Sequence, residues 1–314
     1  MDDSERIERR ISLHEIRILI SVVRAGSMGK AAQLLATSQP AISRAIADLE
    51  HALGVRLLDR TKVGIEPTAY GAALAERGIV VFDELRRAVR HVEFLADPSA
   101  GELHIAATLP LATGFAAAVM NQMSRRYPRV VVQLLSGPSE MAYRALAERR
   151  VDLVIARLLA PVDEENVTAD ILFDEQEVIV AGADNPLSRR RKMTLKELMD
   201  ERWVLGPKDS PSGTIFVEAF RAAGLQPPHA SIVASAAPAR LAVVAKGRFL
   251  TIVPNSMLTH SAFHAALKRL PVELPTTRRP VAIATLKNRT MNAAAKLFID
   301  LARDAAKPMA KLRW

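Results

Sequence analysis

Ser27-Met28-Gly29-Lys30-Ala31-Ala32-Gln33-Leu34-Leu35-Ala36-Thr37-Ser38-Gln39-Pro40-Ala41-Ile42-Ser43-Arg44-Ala45-Ile46-Ala47-Asp48-Leu49-Glu50 is the stretch whose reading decides this chain. It predicts a short helix, a tight break at Ala36-Thr37-Ser38, and a second helix starting near Ser38 or Gln39. Pro40 falls in the first turn of that helix, where its missing N–H does no harm, and Gly54 ends it. On a helix, Ile42, Ala45, Ile46, Leu49 and Leu53 form one apolar stripe, while Gln39, Ser43, Arg44, Ala47 and His51 fall off it. Gln39 and Ser43 are four apart and lie one above the other. An amide, a small hydroxyl and a guanidinium at a helix N-terminus suit the DNA major groove. Glutamine can pair with adenine, arginine with guanine or a phosphate, and serine with either. The helix dipole draws phosphate to the same end.

A polar helix face can also be no more than a solvated one, so its neighbours decide. Ser12-Leu13-His14-Glu15 fits a capping box, followed by Leu13, Ile16, Leu19, Ile20 and Val23 at helical spacing up to Gly26. Beyond Gly54, Val55 to Pro67 reads as two short strands around Lys62-Val63-Gly64, a basic wing. Together these make a winged helix-turn-helix. Thr68 can cap a long helix from Ala69 to about Ala96. On it Gly78, Phe82, Leu85, Val89, Val92 and Ala96 step by four and three, a heptad seam. At 1.5 Å per residue that helix is about 40 Å long. Nothing nearby in sequence covers the seam, so a helix of a second subunit is the expected cover. Asp97-Pro98-Ser99-Ala100-Gly101 is a linker.

Past the linker the period changes. Apolar runs at Leu103 to Ala107, Val130 to Leu135 and Asp152 to Ala156 alternate with helical segments near Leu111 to Arg126 and Ser139 to Arg149. A second set has strands at Glu177 to Ala181, Trp203 to Gly206, Ser231 to Ala234 and Leu250 to Val253. One more strand, Val281 to Thr285, and a helix from Met291 to Ala305 close the chain. This alternation predicts a largely parallel sheet and two α/β halves. In open α/β sheets ligands sit on the loops after the strands. Those loops are Thr108-Leu109-Pro110-Leu111, Ser136-Gly137-Pro138-Ser139 and Gly206-Pro207-Lys208-Asp209-Ser210. Arg157, just past a strand, can hold an anion or brace the crossing between the halves. Each of these residue types is also an ordinary turn or cap residue.

The 314 residues contain no cysteine, which removes disulfides, thiol catalysis and thiolate metal sites. The charged N-terminus has no apolar signal core, and no long apolar run is free of charge, which fits a cytoplasmic protein with no membrane partner. The formal charge of +9 is misleading for the N-terminal part. Residues 1–97 hold 14 Lys and Arg against 14 Asp and Glu, so the whole excess lies in residues 98–314. DNA binding must therefore rest on where charges sit. No Gly-rich phosphate loop, Gly-x-Ser-x-Gly elbow or His-Glu-x-x-His is present. His91, His104 and His229 lack metal-ligand neighbours at useful spacing. No enzyme, cofactor or metal is expected, and a pure solute binder would lack the N-terminal reading unit.

Residues from about Leu13 to Gly71 resemble the N-terminal domain of the LysR-type transcriptional regulators. The carrying residues are Ala31-Ala32-x-Leu34, Ser38-Gln39-Pro40-Ala41-Ile42-Ser43-Arg44-x-Ile46, Leu49-Glu50-x-x-Leu53-Gly54, Leu57-Leu58-x-Arg60 and Pro67-Thr68-x-x-Gly71. Met28 and Leu58 stand where many members carry Phe or Leu and Phe, and both remain apolar fillers. The resemblance implies an α/β protein overall: a winged helix-turn-helix over 1–68, a linker and dimerisation helix over 69–97, and a two-lobed periplasmic-binding-protein-like domain over 98–314. It implies double-stranded operator DNA contacted by Lys30, Ser38, Gln39, Pro40, Ser43, Arg44, Arg60 and Lys62. It further implies a small-molecule effector in the cleft between the lobes; the loop residues Thr108, Leu109, Ser136, Gly137 and Pro207, with Arg157, are the candidates to hold it, and a small organic acid or a sugar is the expected ligand. Self-association to a dimer or tetramer and RNA polymerase as a further partner complete the expectation.

Overall fold

The computed structural model describes residues 11–61, 64–97, 100–158, 165–259 and 265–310. Two compact units meet in the chain between Arg90 and His91. The first contains α1 (Leu13–Ala25), α2 (Met28–Leu34), α3 (Gln39–Leu53), the antiparallel strands β1 (Leu58–Thr61) and β2 (Gly64–Pro67), and most of α4 (Ala69–Ala96). Local chemistry sets each boundary. Ser12 and Glu15 form a reciprocal capping box on α1, and Gly26 and Gly54 take left-handed conformations after α1 and α3. Ser38 accepts from the Ala41 amide as the cap of α3.

The core of this unit is aliphatic. Ile18, Leu19 and Val22 of α1, Ala31 and Ala32 of α2, and Ile42, Ile46 and Leu49 of α3 are all buried together with Leu57. Glu50, on α3, accepts from the amides of Leu57 and Leu58 at 2.7 and 3.2 Å, satisfying the backbone where the wing begins. The Thr68 hydroxyl donates to the Arg56 carbonyl and accepts from the Gly71 amide. A Cβ on Gly71 would lie 1.9 Å from the Leu57 carbonyl oxygen, so α4 can start here only without a side chain. The heptad seam needs correction. Phe82 is buried, with Arg17 of α1 stacked 4.8 Å from its ring. A Cβ on Gly78 would meet Ile16 at 2.4 Å. The first half of the seam is thus covered by α1 of the same chain, and Leu85, Val89 and Val92, with Val81, are what stays exposed.

The second unit has two five-stranded sheets. The first lobe orders its strands β4-β3-β5-β12-β6 and the second β11-β7-β10-β8-β9. They are β3 (Ala100–Thr108), β4 (Arg129–Gly137), β5 (Leu153–Arg157), β6 (Val167–Glu175), β7 (Glu177–Gly182), β8 (Trp203–Leu205), β9 (Ala230–Val233), β10 (Leu250–Pro254), β11 (Leu267–Arg269) and β12 (Arg279–Leu286). The expected largely parallel sheet is not what forms. In each sheet two pairings are parallel and two antiparallel: in the first β12 returns from late in the chain to run against β5 and β6, and in the second β7 runs against β10 and β11. Strands β6 and β11 were also not expected. β6 lies at a sheet edge and is mostly exposed or half-buried, with only Phe173 and Glu175 buried, which leaves it a weak apolar signal.

Helices cover both faces of each sheet. In the first lobe α5 (Leu109–Leu111), a π turn (Ala112–Ala116), α6 (Ala117–Arg126) and the last helix, α11 (Ala293–Ala310), bury one face. The other face is covered by α7 (Ser139–Ala147). In the second lobe α8 (Pro211–Ala222) packs on one face around Trp203, whose ring meets Phe216 and Phe220. On the other face lie α9 (Ala237–Lys246) and α10 (Ser256–Thr259). No described helix is long and apolar enough to cross a membrane.

Candidate functional site

The α2–α3 pair presents one continuous polar edge. Ile42, Ile46 and Leu49 are buried, and Ser38, Gln39, Pro40, Ala41, Ser43, Arg44, Ala47 and Asp48 on the opposite side are exposed. The division follows from helical spacing, since an apolar stripe of this width leaves the remaining arc to water. The break between the helices is closed by the Thr37 amide bonding the Ala32 carbonyl at 2.9 Å, with Ala36 held at φ 50°. This tight turn sets the angle at which α3 leaves α2. Gln39 Oε1 lies 3.5 Å from where a Cβ of Gly29 would be, so the absence of a side chain there leaves space for the Gln39 amide against α2.

Lys30 is exposed on α2 and Arg60 on β1. The wing is pinned to the end of α1: the Ile65 amide donates to the Gly26 carbonyl at 3.0 Å. Gly64, at φ 148°, approaches that same oxygen so closely that a Cβ would stand 2.8 Å away. Lys62 lies outside the described residues. Lys30, Arg44 and Arg60 form no ion pair among the described residues, so each cation is available to a phosphate or a base edge.

In the second unit the first-lobe residues singled out from the sequence do converge. β3 and β4 run parallel with Ala107 opposite Ser136 and Thr108 opposite Gly137, and Leu109 follows at the start of α5. Arg157 ends the neighbouring strand β5 at the same edge. Pro207 belongs to the other lobe, just past β8. There its carbonyl accepts from the Ser210 amide and hydroxyl, at 3.0 and 2.6 Å, as Ser210 caps α8. Arg157 is engaged in an ion pair at the crossing between the lobes. Its guanidinium pairs with Glu177 at 2.6 Å, both side chains almost wholly buried.

Sequence reasoning missed the polar cluster around that brace. Glu175 and Glu177 flank Gln176 at the crossing from β6 to β7, and both are buried. Burial pushes the Glu175 carboxyl up to about 7, while Ser256 and Arg157 pull it back and Glu177 adds to the rise. Arg240 on α9 is 2% exposed and donates to the carbonyls of Ala234, Ser235 and Ile252. The available signal was two carboxylates at alternate positions between apolar strands, a pattern that points charge inward. No group of three or more His, Cys, Asp or Glu placed to hold a metal ion exists among the described residues.

A winged helix-turn-helix with a free polar edge, followed by a two-lobed α/β unit, defines a ligand-responsive DNA-binding regulator. Residues 13–72 match the model of the bacterial regulatory helix-turn-helix proteins of the lysR family, and residues 96–307 match the LysR substrate binding domain. The chain belongs to the LysR family of transcriptional regulators. It is 26% identical over 311 residues to the HTH-type transcriptional regulator GbpR of Azospirillum brasilense, spanning 96% of this chain and 88% of that one. Against the transcriptional dual regulator GltC of Bacillus subtilis (strain 168) it is 27% identical over 262 residues, 83% and 86% of the two chains. Its fold is similar to that of a full-length OxyR variant from Pseudomonas aeruginosa, with TM-score 0.67, 22% identity and coverage of 97% and 99%. It is also similar to full-length CbnR complexed with its target DNA, with TM-score 0.62, 21% identity and coverage of 94% and 100%. The protein is thus a DNA-binding transcriptional regulator with an effector-binding domain, and not an enzyme. Regulators of this family bind operator DNA and small-molecule effectors, and they oligomerise.

Proposed function

We propose that residues 1–68 read the operator, with Gln39, Pro40, Ser43 and Arg44 in the major groove beside Ser38. Lys30 and the wing residues Arg60 and Lys62 hold phosphates or the minor groove. The observation that carries this reading is the exposed polar edge of α3 set against its buried apolar stripe. Residues 69–97 join two copies through the exposed part of the seam, and such dimers pair into tetramers. Residues 98–314 take a small organic acid or a sugar along the edge of Thr108, Leu109, Ser136 and Gly137, with Pro207 facing from the second lobe and Arg157 bracing the crossing. Helix starts and strand ends at this edge offer amides and hydroxyls that suit such ligands.

The effector acts by population shift: binding one lobe arrangement more tightly favours it, which alters how dimers hold and bend DNA in the cytoplasm and how RNA polymerase meets them. The direct test is Arg44→Ala. It removes a group that can read guanine or hold a phosphate, at a cost of about 1–3 kcal/mol, about fivefold to 150-fold in operator affinity. Circular dichroism and oligomeric state should stay as in the unsubstituted protein. A gel shift with unaltered operator affinity overturns the assignment of α3.

A further inference from the structure

One of the two crossings between the lobes of the second unit runs from β6 through Gln176 into β7, and it is stitched to one turn of the second lobe. The Gln176 carbonyl accepts from the Asn255 amide at 3.0 Å, and Glu175 Oε1 accepts from the Ser256 amide at 3.1 Å. That turn presses on the first lobe. A Cβ added to Gly114, in the π turn, would stand 2.7 Å from the Ser256 carbonyl oxygen. Single π turns in helices often mark functional positions. Glu175 therefore touches the element that seats one lobe on the other.

The charge around Glu175 is unbalanced. Arg157, from β5, is committed to Glu177 of β7 at 2.6 Å. Arg279 lies opposite Glu175 in the β12 register, but its guanidinium donates to the carbonyls of Thr276 and Arg278. From α10 comes only Ser256, uncharged, whose hydrogen bonding favours the ionised form of Glu175 but is outweighed by burial. Glu175 Oε2 is buried with no hydrogen-bond partner. An ionised carboxylate in such a place is costly, and a protonated one is far less so. This is also why burial holds the group near 7.

We propose that Glu175 is a proton-operated latch: neutral, it lets the Ser256 turn seat on the first lobe, and ionised, it loosens that seating. The proton is then a ligand of the sensor in its own right, whatever organic effector the other edge takes. The sign follows from linkage. A carboxyl whose folded pKa is raised favours the folded, seated state below its ordinary range and loses that contribution as pH rises through about 7.

The full-length protein and Glu175→Gln are melted from about pH 5.5 to about pH 8.5, with operator footprints at each pH. The unsubstituted protein should lose several degrees of melting temperature relative to Glu175→Gln across this interval. Its footprint should change over the same interval, while that of Glu175→Gln stays in its low-pH form. Parallel melting curves, or a footprint indifferent to pH, overturn the latch. Should Glu175→Gln fail to fold, infrared difference spectra of the unsubstituted protein decide. A protonated-carboxyl band that vanishes between about pH 6 and about pH 8 supports the latch, and its absence overturns it. Effector screens run at a single pH, so their failure leaves the latch standing, and parallel melting leaves the effector reading standing.

Discussion

Ala36 shows how a single residue can be held against its own preference. Its φ of 50° is left-handed, a conformation that costs a non-glycine residue about 1–2 kcal/mol. The turn from α2 to α3 holds it there, because the Thr37 amide must reach the Ala32 carbonyl. Ala36→Gly should remove that strain, partly offset by the extra freedom of glycine in the unfolded chain, for a net gain of about 0.5–1 kcal/mol. Urea unfolding measures this, and a loss of stability would mean the turn is not strained. Glu175 is the opposite case, a residue whose strain is electrostatic and depends on pH. Held near 7 by burial, it withdraws a contribution on the order of a few kcal/mol between its ordinary range and neutrality.

Among the elements, α4 is the one whose sequence and structure part company in an instructive way. The heptad pattern was legible, but periodicity alone could not tell a seam covered by α1 from one left open. Phe82 and Gly78 are covered within the chain, whereas Leu85, Val89 and Val92 are 45%, 52% and 66% exposed. Replacing Leu85 and Val89 with glutamate should leave the monomer folded, since neither is buried in it. It should weaken dimerisation by about 2 kcal/mol or more, about thirtyfold, from lost apolar burial. Sedimentation equilibrium checks this, and an unchanged dimer would place the interface elsewhere. The caps, the turn glycines and the buried stripe of α3 were also legible, because each is decided by residues a few positions apart. What was hidden depends on distant partners: the antiparallel return of β12, the edge strand β6, and the ion pair of Arg157 with Glu177.

For the whole molecule, charge and sensing divide differently from what net charge suggests. Residues 1–97 are neutral in sum, so on the proposed reading their cations would act by position, with Lys30, Arg44 and Arg60 exposed and in no ion pair among the described residues. The sensing part is tested by melting the full chain with panels of carboxylates and sugars. A true effector at a hundred times its Kd should stabilise the protein by about 2.7 kcal/mol, a shift of a few degrees. Thr108→Val should abolish that shift while leaving the melting point in the absence of the compound nearly unchanged. If no compound in either class moves the melting point, the proposed effector chemistry fails.

The route of the backbone has a bearing on biosynthesis. The second lobe is an insertion within the first, since β12 and α11 close a sheet whose opening strand is β3. A ribosome that has just finished β5 must add the residues from 158 to 278 before the neighbour of that strand exists. At about 5–20 residues per second this takes roughly 6–25 seconds. Throughout it β5 presents an unpaired rim and β6 has nothing to pair with. The nascent polypeptide is therefore most exposed to sticking or to chaperone capture midway through translation, and that hazard ends only when its last strand emerges.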